Sequence, residues 1–428
     1  MSREMKDSGI EWIGEIPKDW LVKKIKHGFT IFAGATPKSE KSEYWNGKIS
    51  WITPADYKTE DKYVYTGKKN ISMEGYKSCG TTIVPKGSVI FSKRAPVGTV
   101  AISGNELCTN QGCLACVPLS MTDSIYFYYV ISVFTEQFEL VSSGTTFKEI
   151  SANTFANFPL PFPIYDEQIK ISSFLDKKCA ELDSVLEKTC ASIEEYKKLK
   201  QAVITQAVTK GIRGDREMKD SGIEWNDKIP AEWDSMNPKA LFRQRKDKAF
   251  EGEKQLTASQ QHGIMFQSDY MELTGTKVVT VEKDFDILKH VEAGDFVISM
   301  RSFQGGLEYS ELSGSISSAY VMLVPNLELV YPRFYRWLLK SEVYIRALQS
   351  TSNMVRDGQA MRYSNFSQVR LYTVPMEEQE EIAQYLDEKC KIIDNLIAKK
   401  ERYLSEIENY KKSLIFEYVT GKREVPQE

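Results

Sequence analysis

The sequence predicts an α+β protein in which two mixed α/β domains are separated by two long helices, which pair as an intramolecular antiparallel coiled coil. Two repeats and one periodicity predict it. Residues 5–20, MKDSGIEWIGEIPKDW, return as residues 218–233, MKDSGIEWNDKIPAEW, at an offset of 213, with the first eight residues identical. An internal repeat decides an architecture before any local reading does. A second stretch, DEQIKISSFLDKKCAELDSVL from Asp166, returns as EEQEEIAQYLDEKCKIIDNLI from Glu377. It aligns Glu167-Gln168 with Glu378-Gln379, Leu175-Asp176 with Leu386-Asp387, and Cys179 with Cys390. The intervening regions, 21–165 and 234–376, look little alike. The chain therefore reads as a duplicated scaffold with two different payloads.

The periodicity lies in the second repeat. No proline or glycine occurs from Glu167 to Ala207, and apolar residues recur at spacings of four and three. One seam runs through Leu175, Cys179, Leu182, Leu186, Thr189, Ile193, Tyr196, Lys200, Val203 and Ala207. An offset of 211 gives the other: Leu386, Cys390, Ile393, Ile397, Lys400, Leu404, Ile407, Lys411, Leu414 and Tyr418. Heptads sustained this long are the pattern of coiled-coil helices, each about 60 Å long at 1.5 Å per residue. Gly211 and Gly421 stand where each helix should stop. Two matched seams in one chain most simply pair with each other, antiparallel, with one variable domain at each end. Separate bundles, or pairing between chains, are the alternatives. Lys200 and Lys411, polar at the same place in both seams, set register or face solvent.

Both variable regions read as short strands between glycine and proline turns. In the first, 82–84, 88–92 and 99–102 are strand-like and Pro85-Lys86-Gly87 is a turn; in the second, 277–281 and 295–300 are strand-like and Glu292-Ala293-Gly294 is a turn. Each region then has an aromatic-rich helical segment, 124–141 and 331–350, whose rings read as core. Two loops recur at equivalent places. Residues 92–98, SKRAPVG, and 299–305, SMRSFQG, each follow a strand; residues 143–148, SGTTFK, and 356–362, RDGQAMR, follow the helical segments. A cation presented beside hydroxyl, amide and glycine suits a phosphate or a guanine edge. Ser92, Lys93, Arg94, Thr145, Thr146, Lys148, Arg301, Ser302, Gln304, Arg356, Gln359 and Arg362 are the candidates. Each loop alone reads as a solvated turn, and recurrence in both halves is what singles them out.

Composition limits the chemistry. The 428 residues carry 56 Lys and Arg against 59 Asp and Glu, a formal charge of −3. A nucleic-acid binder of this balance must use local patches or share phosphate contacts with a partner. Seven scattered cysteines form no disulfide framework, and with no membrane span or signal segment legible the expected location is the cytosol. There is no [ND]-P-P-[FYW] tetrapeptide, no glycine fingerprint for S-adenosylmethionine and no phosphate-binding GxxxxGK[ST] loop. Cys113 and Cys116 have zinc-like spacing but sit in a strand-like run with no second pair. Asp56 with Glu60-Asp61-Lys62 resembles a nuclease pattern but is too closely spaced. His27, His262 and His290 suggest neither a metal site nor a triad. No catalytic residue, metal or cofactor is expected.

The opening MKDSGIEWIGEIPKDW closely resembles the start of type I restriction–modification specificity subunits. So do FSKRAPVGTVAI, CTNQG, GTTFKEIS and the proline-then-EQ approach to each long helix. The resemblance covers essentially the whole chain. It implies a first target-recognition domain at 1–165, a central helix at 166–213, a second recognition domain at 214–376, and a distal helix with tail at 377–428. It implies a subunit without catalysis, whose domains each read half of a bipartite double-stranded DNA site while the paired helices fix the spacer. Two modification (methyltransferase) subunits would dock on the helices and restriction subunits, ATP-dependent translocase and nuclease, would join them. It adds Asn110 and Gln111, of CTNQG, to the DNA-binding candidates. The second domain departs from the family wording, with SMRSFQGG and ISSAY in place of SKRAPVG and TNQG. The competing readings are a fused methyltransferase or nuclease with an unfamiliar site, and a coiled-coil adaptor that binds proteins.

Overall fold

The computed structural model describes residues 3–426 except 145–147, 279, 281–286, 301 and 352–360. Two compact units result, Met1–Thr189 with Arg402–Glu428, and Cys190–Glu401. The boundary cuts across both long helices, so each unit holds one variable region and part of each helix.

In the first unit a five-stranded sheet contains β1 (Phe29–Ala33), β2 (Tyr63–Val64), β3 (Val89–Ser92), β4 (Val100–Ser103) and β5 (Cys113–Pro118), in the order β1-β5-β3-β4-β2. All neighbours are antiparallel except β2, which lies parallel to β4. β3 is buried along its whole length because both of its faces are covered. Val89 and Phe91 join the main core, while Ile90 packs with Val84, Leu107 and Ala115 on the other side. A strand covered on both faces reads as an unbroken apolar run. Helices α1 (Ser124–Val133) and α2 (Thr135–Leu140) supply Tyr126, Phe127 and Phe138 to the main core, all fully buried. Residues 82–84, expected as a strand, make only the single bridge of Val84 to Leu107.

The second unit repeats the topology with one strand fewer among the described residues: β6 (Phe242–Arg245), β7 (Phe296–Ile298), β8 (Glu308–Tyr309) and β9 (Val321–Pro325), ordered β6-β9-β7-β8. Residues 302–305, read as loop, form a helical turn, α3 (Ser302–Gly305), nucleated by the Ser299 amide donating to the Ser302 hydroxyl at 2.8 Å. The aromatic segment forms α4 (Pro332–Leu338) and α5 (Glu342–Ser350). Of the strand expected at 277–281, Lys277, Val278 and Thr280 are not in a strand, and residues 279 and 281 lie outside the described residues.

The central helix runs Tyr165–Lys210 and the distal helix Met376–Val419. Each is followed by the expected glycine in a left-handed conformation, Gly211 at φ 76° and Gly421 at φ 71°. In the first unit Leu175 and Cys179 share a core with Leu414, Ile415 and Tyr418, and Phe174 packs at a tilt against Tyr418 with ring centres 4.5 Å apart. In the second, Ala207 and Val208 share a core with Ile382, Leu386 and Cys390. The helix halves run antiparallel in both: Asp183 meets Lys411 while Phe174 meets Tyr418, and Lys200 meets Asp394 while Tyr196 meets Lys400. Of the predicted seam, Leu175, Ile193, Leu386, Ile393, Ile407 and Leu414 are buried; Leu182, Leu186, Tyr196, Val203, Ile397 and Leu404 are half-buried.

The two polar seam positions turn out to be one device used twice. Lys200 bonds Asp394 at 2.7 Å, and Lys411 bonds Asp183, its counterpart in the repeat. A one-heptad slip would separate both pairs, so they favour a single register.

The second repeat also explains its Glu-Gln pair. Glu167 accepts from the Trp20 indole at 2.8 Å and from Arg3; Glu378 accepts from the Trp233 indole at 3.0 Å and from Arg216. The neighbouring glutamine ties the chain just before the aromatic helices to the segment that enters the long helix. The Asp123 amide donates to Gln168, which donates to the Pro163 carbonyl; Tyr331, Gln379 and Val374 repeat this. The opening motif closes over the helix end as well: a Cβ on Gly421 would lie 2.4 Å from Pro17 Cδ.

The register pairs are testable by charge reversal. Asp394→Lys should cost about 1 kcal/mol in thermal unfolding, and the swap Lys200→Asp with Asp394→Lys should restore most of it. An additive double variant would mean that the pair contributes nothing to register.

Candidate nucleic-acid interface

In the first unit three candidate loops meet at one end of the sheet. After β3 the chain turns back on itself, with the Ser92 hydroxyl donating to the Arg94 carbonyl at 2.8 Å and the Gly98 amide to the Ser92 carbonyl at 3.0 Å. The Lys93 amide donates to the Gly112 carbonyl at 2.9 Å, which joins this loop to the Asn110-Gln111-Gly112 turn before β5. The Ile150 amide donates to the Lys93 carbonyl at 3.0 Å and brings in the loop that starts at Ser143. The turn can sit this close only because of Gly34: a Cβ there would lie 2.1 Å from the Asn110 carbonyl oxygen.

At the junction is a residue the sequence reading passed over. The Glu149 carboxylate accepts from Lys93 Nζ and Arg94 Nε, each at 2.9 Å. Hydrogen bonds from Lys93, then Arg94, hold its carboxyl below the usual range against the opposing effect of burial. A carboxylate among cations gives little signal in one sequence, because the pairing depends on two loops 55 residues apart.

The candidates divide by placement. Arg94, Gln111 and Lys148 are exposed, and Lys93 is half-buried under the loop. Ser92 does not face outward as expected: it is fully buried and its hydroxyl is used inside the turn. Asn110 is half-buried, with its side-chain oxygen capping the Gly112 amide at 2.9 Å. Gln111 accepts from the Thr36 hydroxyl, so the 34–36 segment is a further neighbour that sequence spacing did not suggest. Thr145 and Thr146 lie outside the described residues.

In the second unit β7 takes the place of β3, between the equivalents of β5 and β4, so α3 follows the strand that the SKRAPVG loop follows in the first. Ser302, expected at the surface, is buried, because its hydroxyl closes the helical turn. Gln304 is exposed. α3 packs on α5 through Gln349, whose amide donates to the Phe303 carbonyl at 2.6 Å. Just beyond α5, Thr351 accepts from Asn365, which in turn caps the amide of exposed Arg362 at 3.1 Å. Arg301, Arg356 and Gln359 lie outside the described residues. The second domain thus brings Gln304 and Arg362 to its equivalent end by a different local construction.

The rejected metal patterns have geometric answers. Cys113 and Cys116 lie on opposite faces of β5, in different cores, and burial pushes the Cys113 thiol up to about 12. Asp56 caps the Thr53 and Lys68 amides, while Lys62 pairs with Asp176. Among the described residues no group of three or more His, Cys, Asp or Glu could hold a metal ion. Nor is any helix among them long and apolar enough to cross a membrane.

Comparison with known proteins points in one direction. Residues 17–195 match the type I restriction modification DNA specificity domain. Over that stretch the chain is similar to the type I specificity subunits. The MjaIX specificity subunit of Methanocaldococcus jannaschii is 42% identical over 166 residues, a match spanning 38% of each chain. The EcoBI specificity subunit of Escherichia coli is 21% identical over 98% of this chain and 90% of its own. The fold of this chain recurs in a chain solved in work on complex assembly and conformational transition of the type I R-M system, with TM-score 0.71, 14% identity, and coverage of 95% and 99%. The HsdS subunit from Thermoanaerobacter tengcongensis aligns at TM-score 0.54 and 14% identity, covering 95% and 98%.

The Glu149 junction makes this cluster of loops sensitive to acid. A carboxyl depressed on folding contributes stability that is present above its unfolded value, about 4.3, and lost as pH falls through the lower folded value. Protection of the Ile150 amide, corrected for intrinsic exchange, should be flat from about pH 7 to 5 and fall below about pH 4. Glu149→Gln should lack that step; an unchanged step would remove this carboxylate from the account.

Proposed function

We propose that this chain is the non-catalytic DNA-reading subunit of a type I restriction–modification complex and works in the cytoplasm. Each recognition domain reads one half of a bipartite duplex site. The paired helices fix the spacer and dock two modification subunits, and restriction subunits complete the assembly. The observation that carries this reading is the pairing of like scaffold with unlike loops. Two sheets of the same order present SKRAPVG, TNQG and the Glu149 segment on one domain, and a helical turn with Gln304 and Arg362 on the other. Two different readers on one repeated frame suit an asymmetric target. Phosphate contacts position such a reader and base contacts specify, and the cations available for both are local, as the overall charge of −3 requires. Modification chemistry belongs to the partners, which supply S-adenosylmethionine binding.

Deleting the gene tests the function directly: one bipartite methylated motif should vanish from the genome, and loss of none would refute the reading. Within the complex, Lys93→Ala with Arg94→Ala should lower affinity for the cognate duplex by roughly 1–3 kcal/mol. Gln304→Ala should weaken discrimination only at the other half-site. Unchanged binding in both would remove these residues from the interface and leave the family untouched.

A further inference from the structure

Beside the apolar core that each recognition domain shares with its own helix segment, polar side chains tie the two together at two places. The first is the helix start, where the Glu-Gln pair receives the opening motif and the chain before α1 or α4. The second is a single aspartate nine residues after that glutamate, Asp176 in one repeat and Asp387 in the other, about 13 Å further along the helix. Asp176 accepts from the Tyr129 hydroxyl at 2.7 Å and from Lys62. The Lys62 ammonium also lies 5.2, 5.6 and 5.9 Å from the ring centres of Tyr129, Tyr63 and Tyr128. Asp387 accepts from the Trp337 indole at 2.9 Å, from Arg336 at 2.6 Å and from Arg333. Burial acts to raise the Asp387 carboxyl, and hydrogen bonds from Arg336, Trp337 and Arg333 outweigh it and hold it low.

The acceptor is the same in both repeats, while the donors differ. One domain offers a lysine next to its edge strand β2 and a tyrosine of α1; the other offers two arginines and a tryptophan of α4. Core packing alone would not call for an aspartate at this place twice. A body fixed at one point can swing, and a second point two and a half helical turns away sets its angle. The opening motif and Glu-Gln pair act as the pivot, and the aspartate as the stop.

We propose that Asp176 and Asp387 are positioning residues that set the tilt of each recognition domain on its helix, and through it the spacer length that the subunit accepts. This rests on the function proposed above. It separates two properties of one reader: loops determine which bases are read, and the aspartate latches determine how far apart the two half-sites must lie.

The test uses the assembled modification complex and duplexes that carry the cognate bipartite site with its natural spacer, or with one base pair added or removed. In Asp176→Asn and Asp387→Asn, preference for the natural spacer should fall at least tenfold, while single base changes within either half-site are rejected as strongly as by the unaltered complex. Asp387→Glu should recover part of the preference. Lys62→Met and Arg336→Met loosen the same latches from the domain side and should give the same result should the aspartate variants fail to fold. Unchanged spacer preference in Lys62→Met and Arg336→Met would overturn the proposal, as would a uniform loss of methylation on every duplex. Absence of bipartite-site methylation by the unaltered complex would instead refute the proposed function.

Discussion

A carboxylate at the start of each long helix organises this molecule, buried at Glu378 and half-buried at Glu167. The Glu378 side chain is 1% exposed, and a charge so placed is tolerable only with partners that offset its lost hydration. Arg216 and the Trp233 indole are those partners, and both come from the opening motif of the second repeat. The requirement therefore closes the motif over the start of the distal helix. Glu167, Arg3 and Trp20 impose the same closure on the central helix. Once these ends are closed, Gln168 and Gln379 tie the start of the aromatic helices to the start of each long helix, and the sheets are free to differ.

The scaffold was legible in the sequence because it is periodic and duplicated. The seam residues, the stop glycines and the paired Lys200 and Lys411 could be placed by spacing alone, since a helix converts spacing into direction. What spacing could not show was the partner of each polar residue. Asp394 and Asp183 lie outside the apolar pattern that located the lysines. The repeat did contain that signal, because both aspartates recur at the helix offset of 211.

The interface was legible only in outline. The equivalence of β3 and β7 followed from glycine turns and strand signals, so the loops after them were found at matching ends of their sheets. The outward or inward aim of individual side chains was not found. Ser92 and Ser302 have the composition of surface loop residues, yet their hydroxyls are spent on closing the turns that they belong to. Glu149 was missed for a related reason. Its role arises from tertiary closure of two loops, and local patterns do not encode which loops meet.

Glu149 has one more consequence. By occupying Lys93 and Arg94 in the free protein, it acts as a tethered competitor for any phosphate that approaches them. A tethered group is present at an effective concentration on the order of millimolar, and it competes with every stretch of duplex alike. Non-specific DNA offers only phosphates, so it gains little by displacing this internal ligand. On the function proposed above, a cognate half-site adds base contacts from the same loop and can meet that cost. On that reading, an acidic residue among the cations of the loop works as a threshold, shortening the time spent on irrelevant sequence.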